Sequence, residues 1–326
     1  MGQTSEYDRL DRRALLRLWV PALLTGTVVT GFGGALLGRA GRHRPKPVDV
    51  VGGPRDWRVR TDEPGRIAVA GGAGPTSNLG QALASLGGIG RFIGPGERVA
   101  IKPNCAWDRT PQQAANTDPE LIAALVRLSL EAGAASVLIV ENSCHDPERA
   151  FQRSGIAAAA TSMGAKIAHQ KSARTVTLDL GGVALGTWEV LEPLAEADRV
   201  INVPVVKHHS LSRVTLGMKN WFGAIVGRRN SLHQRIDQVC AELADAFRPT
   251  LTVVDATRVL TAGGPTGGSL DLVRPVDRVA VSTDPVAADA WGGSLLDLDV
   301  PQLQFVSIAE RLGLGTSDWR SVLVEA

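Results

Sequence analysis

From residue 66 onward, short apolar β-branched runs alternate with stretches whose apolar residues recur at helical spacing. The runs are "RIAVAG" (66–71), "RVAIKPN" (98–104), "SVLIVE" (136–141), "RVINVPVVK" (199–207), "LTVVDA" (251–256) and "RVAVSTD" (278–284). Each has the length and composition of a buried strand. The clearest helix is "TDPELIAALVRLSLEAG" (117–133). Thr117 or Asp118 can cap it, Pro119 suits its first turn, and Gly133 suits its end. Residues 231–247 predict a second helix, and "DPVAADAWGGSLL" begins a third with Asp284 placed to cap it. No internal repeat of solenoid length is present. Strands alternating with helices predict an α/β fold: a mostly parallel sheet flanked by helices on both faces. The expected domain spans residues 66–326, one large unit with room for a sub-domain.

The pattern before residue 66 differs. "DRRALLR" (11–17) is followed by a 21-residue uncharged run, Leu18 to Gly38. Paired arginines before such a run predict a twin-arginine export signal over residues 1–38, or an uncleaved membrane anchor. Either places the bulk of the chain in the periplasm or another extracytoplasmic space. Residues 18–38 can hold it to the inner membrane. The expected partners are then the twin-arginine export machinery and the membrane. Residues 39–65, rich in Arg, Pro and Gly, read as a linker.

Several strands end in a chemically capable residue: Lys102 and Asn104, Glu141, Lys207, Asp255 and Asp284. Ligands of open α/β sheets bind outside the carboxyl ends of the strands. If the strands run parallel, these groups share one rim. Asp284 reads more simply as a helix cap. "VPVVKHHSLSRVTLGMKN" (203–220) concentrates this chemistry, with two lysines, adjacent histidines, a threonine and an asparagine after an apolar run.

Composition narrows the choices. The chain has 326 residues, 44% hydrophobic and 21% charged, as a folded protein does. A net charge of +2 without a dense basic stripe argues against nucleic acid. The cysteines, Cys105, Cys144 and Cys240, form no Cys-x-x-Cys pair. No iron–sulfur cluster is expected. Cys105 and Cys144 each follow a strand-like run, as a reactive or ligating thiol would, but buried spectator thiols are the favoured reading.

The phrases "VAIKPN", "NTDPELIAALV", "EAGAASVLIVE", "VINVPVVKHH…VTLGMKNWFG", "VVDATRVLTAGGPTGG" and "VSTDPVAADA" resemble the domain-of-unknown-function family numbered 362, from about Arg98 to Trp291. The resemblance implies a fold and a site location more than a reaction. Many relatives carry an added cysteine-rich iron–sulfur segment; this chain lacks those cysteines. The family's recurring polar positions fall on Lys102, Asn104, Lys207, His209, Thr215, Lys219, Asn220, Asp255 and Asp284.

Lys102, Lys207 and Lys219 suit a phosphate or carboxylate. "GGPTGG" (263–268) lets backbone N–H groups of Gly263, Gly264 and Gly267 approach an anion. No Walker loop, dinucleotide fingerprint or G-x-S-x-G elbow is present. The expected ligand is a small anion. Lys207, His209 and Lys219 are the candidate catalytic groups, and Lys102, Asn104, Thr215, Asn220 and the three glycines the binding groups. His233 and Asp237, four apart on a predicted helix, form with Glu141 and Asp255 a candidate divalent-metal set. The expected function is an exported or anchored enzyme acting on a small anionic substrate. The alternatives are a non-catalytic binder of an anionic small molecule or metal complex, and a tethered assembly factor.

Overall fold

The structure is a computed structural model and describes Val50 and residues 52–326. The expected signal or anchor (1–38) and residues 39–49 of the expected linker lie outside the described residues. Among the described residues, no helix is long and apolar enough to cross a membrane.

The strands are β1 (Ile67–Gly71), β2 (Arg98–Pro103), β3 (Ser136–Glu141), β4 (Lys166–His169), β5 (Thr175–Asp179), β6 (Thr187–Leu191), β7 (Arg199–Val203), β8 (Val205–His209), β9 (Arg213–Thr215), β10 (Ile225–Val226), β11 (Leu251–Leu260), β12 (Val273–Ser282) and β13 (Leu323–Glu325). The helices are α1 (Pro75–Ser85), α2 (Pro119–Glu131), α3 (Pro147–Arg153), α4 (Ile156–Ser162), α5 (Glu192–Ala195), α6 (Gly217–Asn220), α7 (Ile236–Ala246), α8 (Pro285–Ser294) and α9 (Gln304–Arg311).

One ten-stranded sheet runs in the order β13-β1-β12-β11-β7-β2-β3-β4, with β8 added beside β11 and β9 beside β8. Pairing is parallel from β11 through β7, β2 and β3 to β4. Side chains alternate between the faces of a strand, and both faces are apolar. Val99, Ile101, Val137, Ile139 and Ile201 join one core with α1, α2 and α4. Ala100, Val140, Val200 and Val254 join the other with α7, α8 and α9. Helices therefore cover both faces, because a strand buried on both sides carries no polar face for water. On α2, Leu121, Ile122 and Leu125 are fully buried. Each contributes about 1.5–3 kcal/mol of transfer free energy. Asp118 caps this helix by accepting the Glu120 N–H, and Gly133 follows it with φ +97°.

Three expectations change. The run 199–207 is not one strand. Pro204 lacks an N–H for the ladder, and it divides β7 from β8. β12 is antiparallel to both β11 and β1. Asp284 therefore lies at the edge opposite the other strand ends. It caps α8 by accepting the Val286 and Ala287 N–H groups. Part of the expected linker is built into the domain. Trp57 is buried, stacks on Phe247 at 6.1 Å and donates its indole N–H to the Ala197 carbonyl. The small sheet β10-β6-β5 sends Ile225, Val190 and Leu178 into the same core as Val254 and forms no separate core.

Candidate functional site

The winding of the sheet reverses between β2 and β7. From β2 the chain adds β3 and β4 on one side; from β7 it adds β11 and β12 on the other. Such a switch point leaves a crevice outside the carboxyl ends of the strands. A cleft of about 450 Å³ opens there. Its walls are the segment after β2, the end of β3, the β8–β9 hairpin, α6 and the turn around Arg229. A second opening, of about 440 Å³, lies by residues 56–66 at the amino ends of the strands. Two of its arginines already face acids, in the pairs Arg58–Asp56 and Arg91–Glu63.

The hairpin explains the adjacent histidines. Lys207 pairs with Thr215, His208 with Val214 and His209 with Arg213. Lys207, His209 and Thr215 therefore share the face that lines the cleft, and His208 points the other way. His208 Nδ1 accepts the Gly264 N–H at 3.2 Å.

The glycine loop has a different role from the one its composition suggests. The Gly264 N–H is taken by His208, and the Gly267 N–H by the Gly263 carbonyl. A Cβ on Gly264 would fall 1.8 Å from the His208 carbonyl oxygen. Gly263 and Gly267 have φ of +68° and +61°. These glycines serve close packing and turn geometry, and from this loop only Pro265 lines the cleft.

A chain of amides holds the floor. Lys207 Nζ donates to Asn104 Oδ1 at 2.8 Å and to the Ala115 carbonyl. Asn104 Nδ2 donates to Asn220 Oδ1 at 2.9 Å, and Asn220 Nδ2 to Asn202 Oδ1 at 2.8 Å. Asn202 Nδ2 then reaches the Gly217 carbonyl at 2.9 Å, at the start of α6. The buried carboxylate of Asp289 on α8 accepts the first N–H groups of α6, from Gly217 at 2.7 Å and Met218 at 2.9 Å. A short helix gains little stability alone, so this clamp sets where Lys219 and Asn220 stand. Burial pushes the Asp289 carboxyl up to about 7, against those two N–H groups.

Lys102 has 0% side-chain exposure and pairs with Glu141, at 2%, over 2.8 Å. It also donates to the Pro103 carbonyl, and Glu141 accepts the Cys105 N–H at 3.2 Å. A Cβ on Gly223 would fall 1.7 Å from Glu141 Oε1, so only glycine closes over this pair. Glu141, the only carboxylate among the cleft's lining residues, is thereby neutralised.

The cations beside it are not. Among the described residues, no acid lies within ion-pair distance of Lys207, Lys219 or Arg229. Lys219 Nζ sits 3.6 Å from the centre of the Phe222 ring, a cation–π contact. Arg229 donates to the carbonyls of Phe222 and Asn142. Burial pulls the Lys207 ammonium down to about 7, and Lys219 further adds to the depression. Burial likewise lowers Lys219. Burial and the neighbouring lysines push His209 down to about 3. Its Nδ1 accepts the Leu211 and Ser212 N–H groups, so the neutral ring carries its proton on Nε2. His209 is thus a neutral donor, while burial brings Lys207 close to neutral pH. Thr215 Oγ1 and Trp107 Nε1 are buried without a partner.

The expected metal set is not brought together. His233 lines the cleft, but it lies in a 3₁₀ turn, Arg229–Arg235, and Asp237 begins α7. They do not share an α-helical face, and Asp237 is absent from the cleft wall. Both Asp255 oxygens are occupied, one by the Asp118 N–H at 2.7 Å and the other by Thr257. Asp255 anchors α2 below the cleft, and burial beside Asp118 raises its pKa. Among the described residues, no group of three His, Cys, Asp or Glu side chains could hold a metal ion.

The sequence reading missed Asn202, Arg229, Asp289 and Trp107. Asn202 and Asp289 had a signal: each is a lone polar residue in an apolar stretch, "VINV" and "VAADAW". Cys105 and Cys240 are buried, and burial pushes both thiols up. Cys144, expected to be buried, is exposed and lines the cleft. Arg229 and Trp107 carried no such signal.

A chain 28% identical over 246 residues is the thylakoid-associated protein sll1697 of Synechocystis sp.; the match covers 73% of this chain and 75% of that protein. The lactate racemase apoprotein of Thermoanaerobacterium thermosaccharolyticum superposes with a TM-score of 0.39 at 12% identity. That match covers 74% of this chain and 58% of the racemase chain. The family model described as "Domain of unknown function (DUF362)" matches residues 99–293, which include every strand end that builds the cleft. The chain belongs to the DUF362 family.

Proposed function

We propose that the cleft binds a small anionic substrate and that the protein is an enzyme using Lys207 for proton transfer. One observation carries the reading: the lining holds Lys207, Lys219 and Arg229, and its only carboxylate is already paired with Lys102. The His209 Nε2–H and the Thr215 hydroxyl add donors. A wall that offers donors and positive charge complements a ligand rich in acceptors. A lysine near pH 7 can accept or release a proton at working pH. A non-catalytic binder is the second reading. It is favoured by the Asn104 and Ala115 acceptors, which hold Lys207 Nζ as a fixed ammonium.

We also place the protein outside the cytoplasm. The paired Arg12 and Arg13 before the uncharged run 18–38 support export or anchoring. The name of the Synechocystis relative, thylakoid-associated, supports a membrane-linked setting.

Cys144 provides a native reporter of the cleft's field. Its alkylation by iodoacetate, relative to neutral iodoacetamide, exceeds the same ratio for glutathione by about tenfold at low salt. The excess fades at high salt, where screening shortens to about 3 Å at 1 M. A ratio equal to that of glutathione removes the cationic-cleft reading.

Anion affinity depends on pH through Lys207. Below about 7 the lysine is charged in the free protein; above it, charge must be taken up on binding. Affinity therefore falls as pH rises through 7, by up to about tenfold per unit. Titration calorimetry in buffers of different ionisation enthalpy reads that proton uptake at pH 8. For stability the sign is opposite. The unfolded lysine binds its proton near 10.4, so the folded state is disfavoured progressively as pH drops from there to about 7.

A further inference from the structure

We infer that the ligand is an aromatic acid: an anionic head on a planar apolar body. This rests on the anionic reading above and names the class of molecule that fills the rest of the site. The buried and exposed parts of the lining differ in chemistry. The buried part holds Lys207, Lys219, His209 and Thr215, whose hydroxyl has no partner at 4% exposure. Those groups suit the head. The more exposed part holds the Trp107 indole, the His233 ring, Leu211 and Pro265. Phe222 sits between the two, with Lys219 against its ring and His233 at 5.3 Å between ring centres. The Trp107 ring is fixed edge-on to His145 at 4.9 Å.

Size points the same way. A bare phosphate or acetate fills a small fraction of about 450 Å³. Clefts of 300–1,000 Å³ suit ligands the size of a ring system with substituents. Apolar walls lose contact with water only when an apolar body covers them, and the gain scales with covered area. Flat aromatic walls favour a flat partner. The buried Trp107 Nε1 donor, without an acceptor, adds a place for an oxygen on the ligand.

The test compares acetate, inorganic phosphate, benzoate, 4-hydroxybenzoate and benzamide on the full-length protein. Binding is read by calorimetry and by protection of Cys144 from iodoacetamide. The expected result is that benzoate and 4-hydroxybenzoate bind at least tenfold tighter than acetate, and tenfold tighter than benzamide. In Trp107→Ala the benzoate-to-acetate ratio collapses toward one. Equal affinity for acetate, phosphate and benzoate overturns the aromatic inference and leaves the anionic reading standing. Benzamide binding as tightly as benzoate overturns the anionic reading itself. So does the absence of binding and protection by every anion in the series.

Discussion

Lys102→Met lowers the unfolding free energy by about 3–5 kcal/mol. The lysine is fully enclosed, and its ammonium meets Glu141 at 2.8 Å and the Pro103 carbonyl at 2.9 Å. Removing the cation leaves a buried carboxylate facing Gly223 and the Cys105 N–H, with no counter-charge. The cost is that of the orphaned charge rather than the net worth of the pair, because burying both ions already offsets most of their attraction. The double variant Lys102→Met/Glu141→Leu accordingly regains most of the loss. Urea unfolding of the three proteins measures this. A single-variant loss below about 1 kcal/mol, the range of exposed ion pairs, means that water reaches the pair and that Glu141 is not neutralised. The positive balance of the cleft depends on that neutralisation.

Lys219→Met weakens anion binding by about 10–150-fold, the range expected for a hydrogen bond to a charged group. Lys219 stands on four-residue α6, held by Asp289 below and by the amide chain through Asn220. Among the described residues its ammonium has no acid partner, and it rests against the Phe222 ring. A nearly buried cation without an acid partner costs folding free energy. Methionine keeps the contact with the ring and removes that cost. The variant is thus at least as stable as the parent and loses affinity at the same time. That combination separates a binding role from a structural one. Benzoate affinity by calorimetry and midpoint by urea unfolding give the two readings. Unchanged affinity in a stable Lys219→Met protein ends the proposal that this lysine meets the ligand.

Much of the fold was legible because its signals are local. Six apolar runs and the capped helix at 117–133 depend on periodicity within a few residues; five runs and the helix appear as single elements, and the sixth, 199–207, appears as β7 and β8. The capable residues at strand ends were legible for the same reason. Lys102, Glu141 and Lys207 interrupt apolar runs, where burial demands a partner. Their partners were not legible. Lys102 to Glu141 is a separation of 39 residues, and Lys207 to Asn104 one of 103. The metal set failed on a local point with a tertiary cause. The 3₁₀ turn ahead of α7 rotates His233 away from the face that four-residue spacing predicts.

By itself the sequence determined the strand and helix pattern, the two-faced apolar sheet and the supply of lysines and donors near its strand ends. Tertiary structure decided which of these meet. Pro204 split one run into two strands, the β8–β9 pairing turned His209 and His208 to opposite faces, and antiparallel β12 carried Asp284 to the far edge. Side-chain alternation is encoded in neighbouring residues. Strand direction and pairing partner are set by which distant apolar faces bury each other best, and one residue of register moves a side chain to the other face.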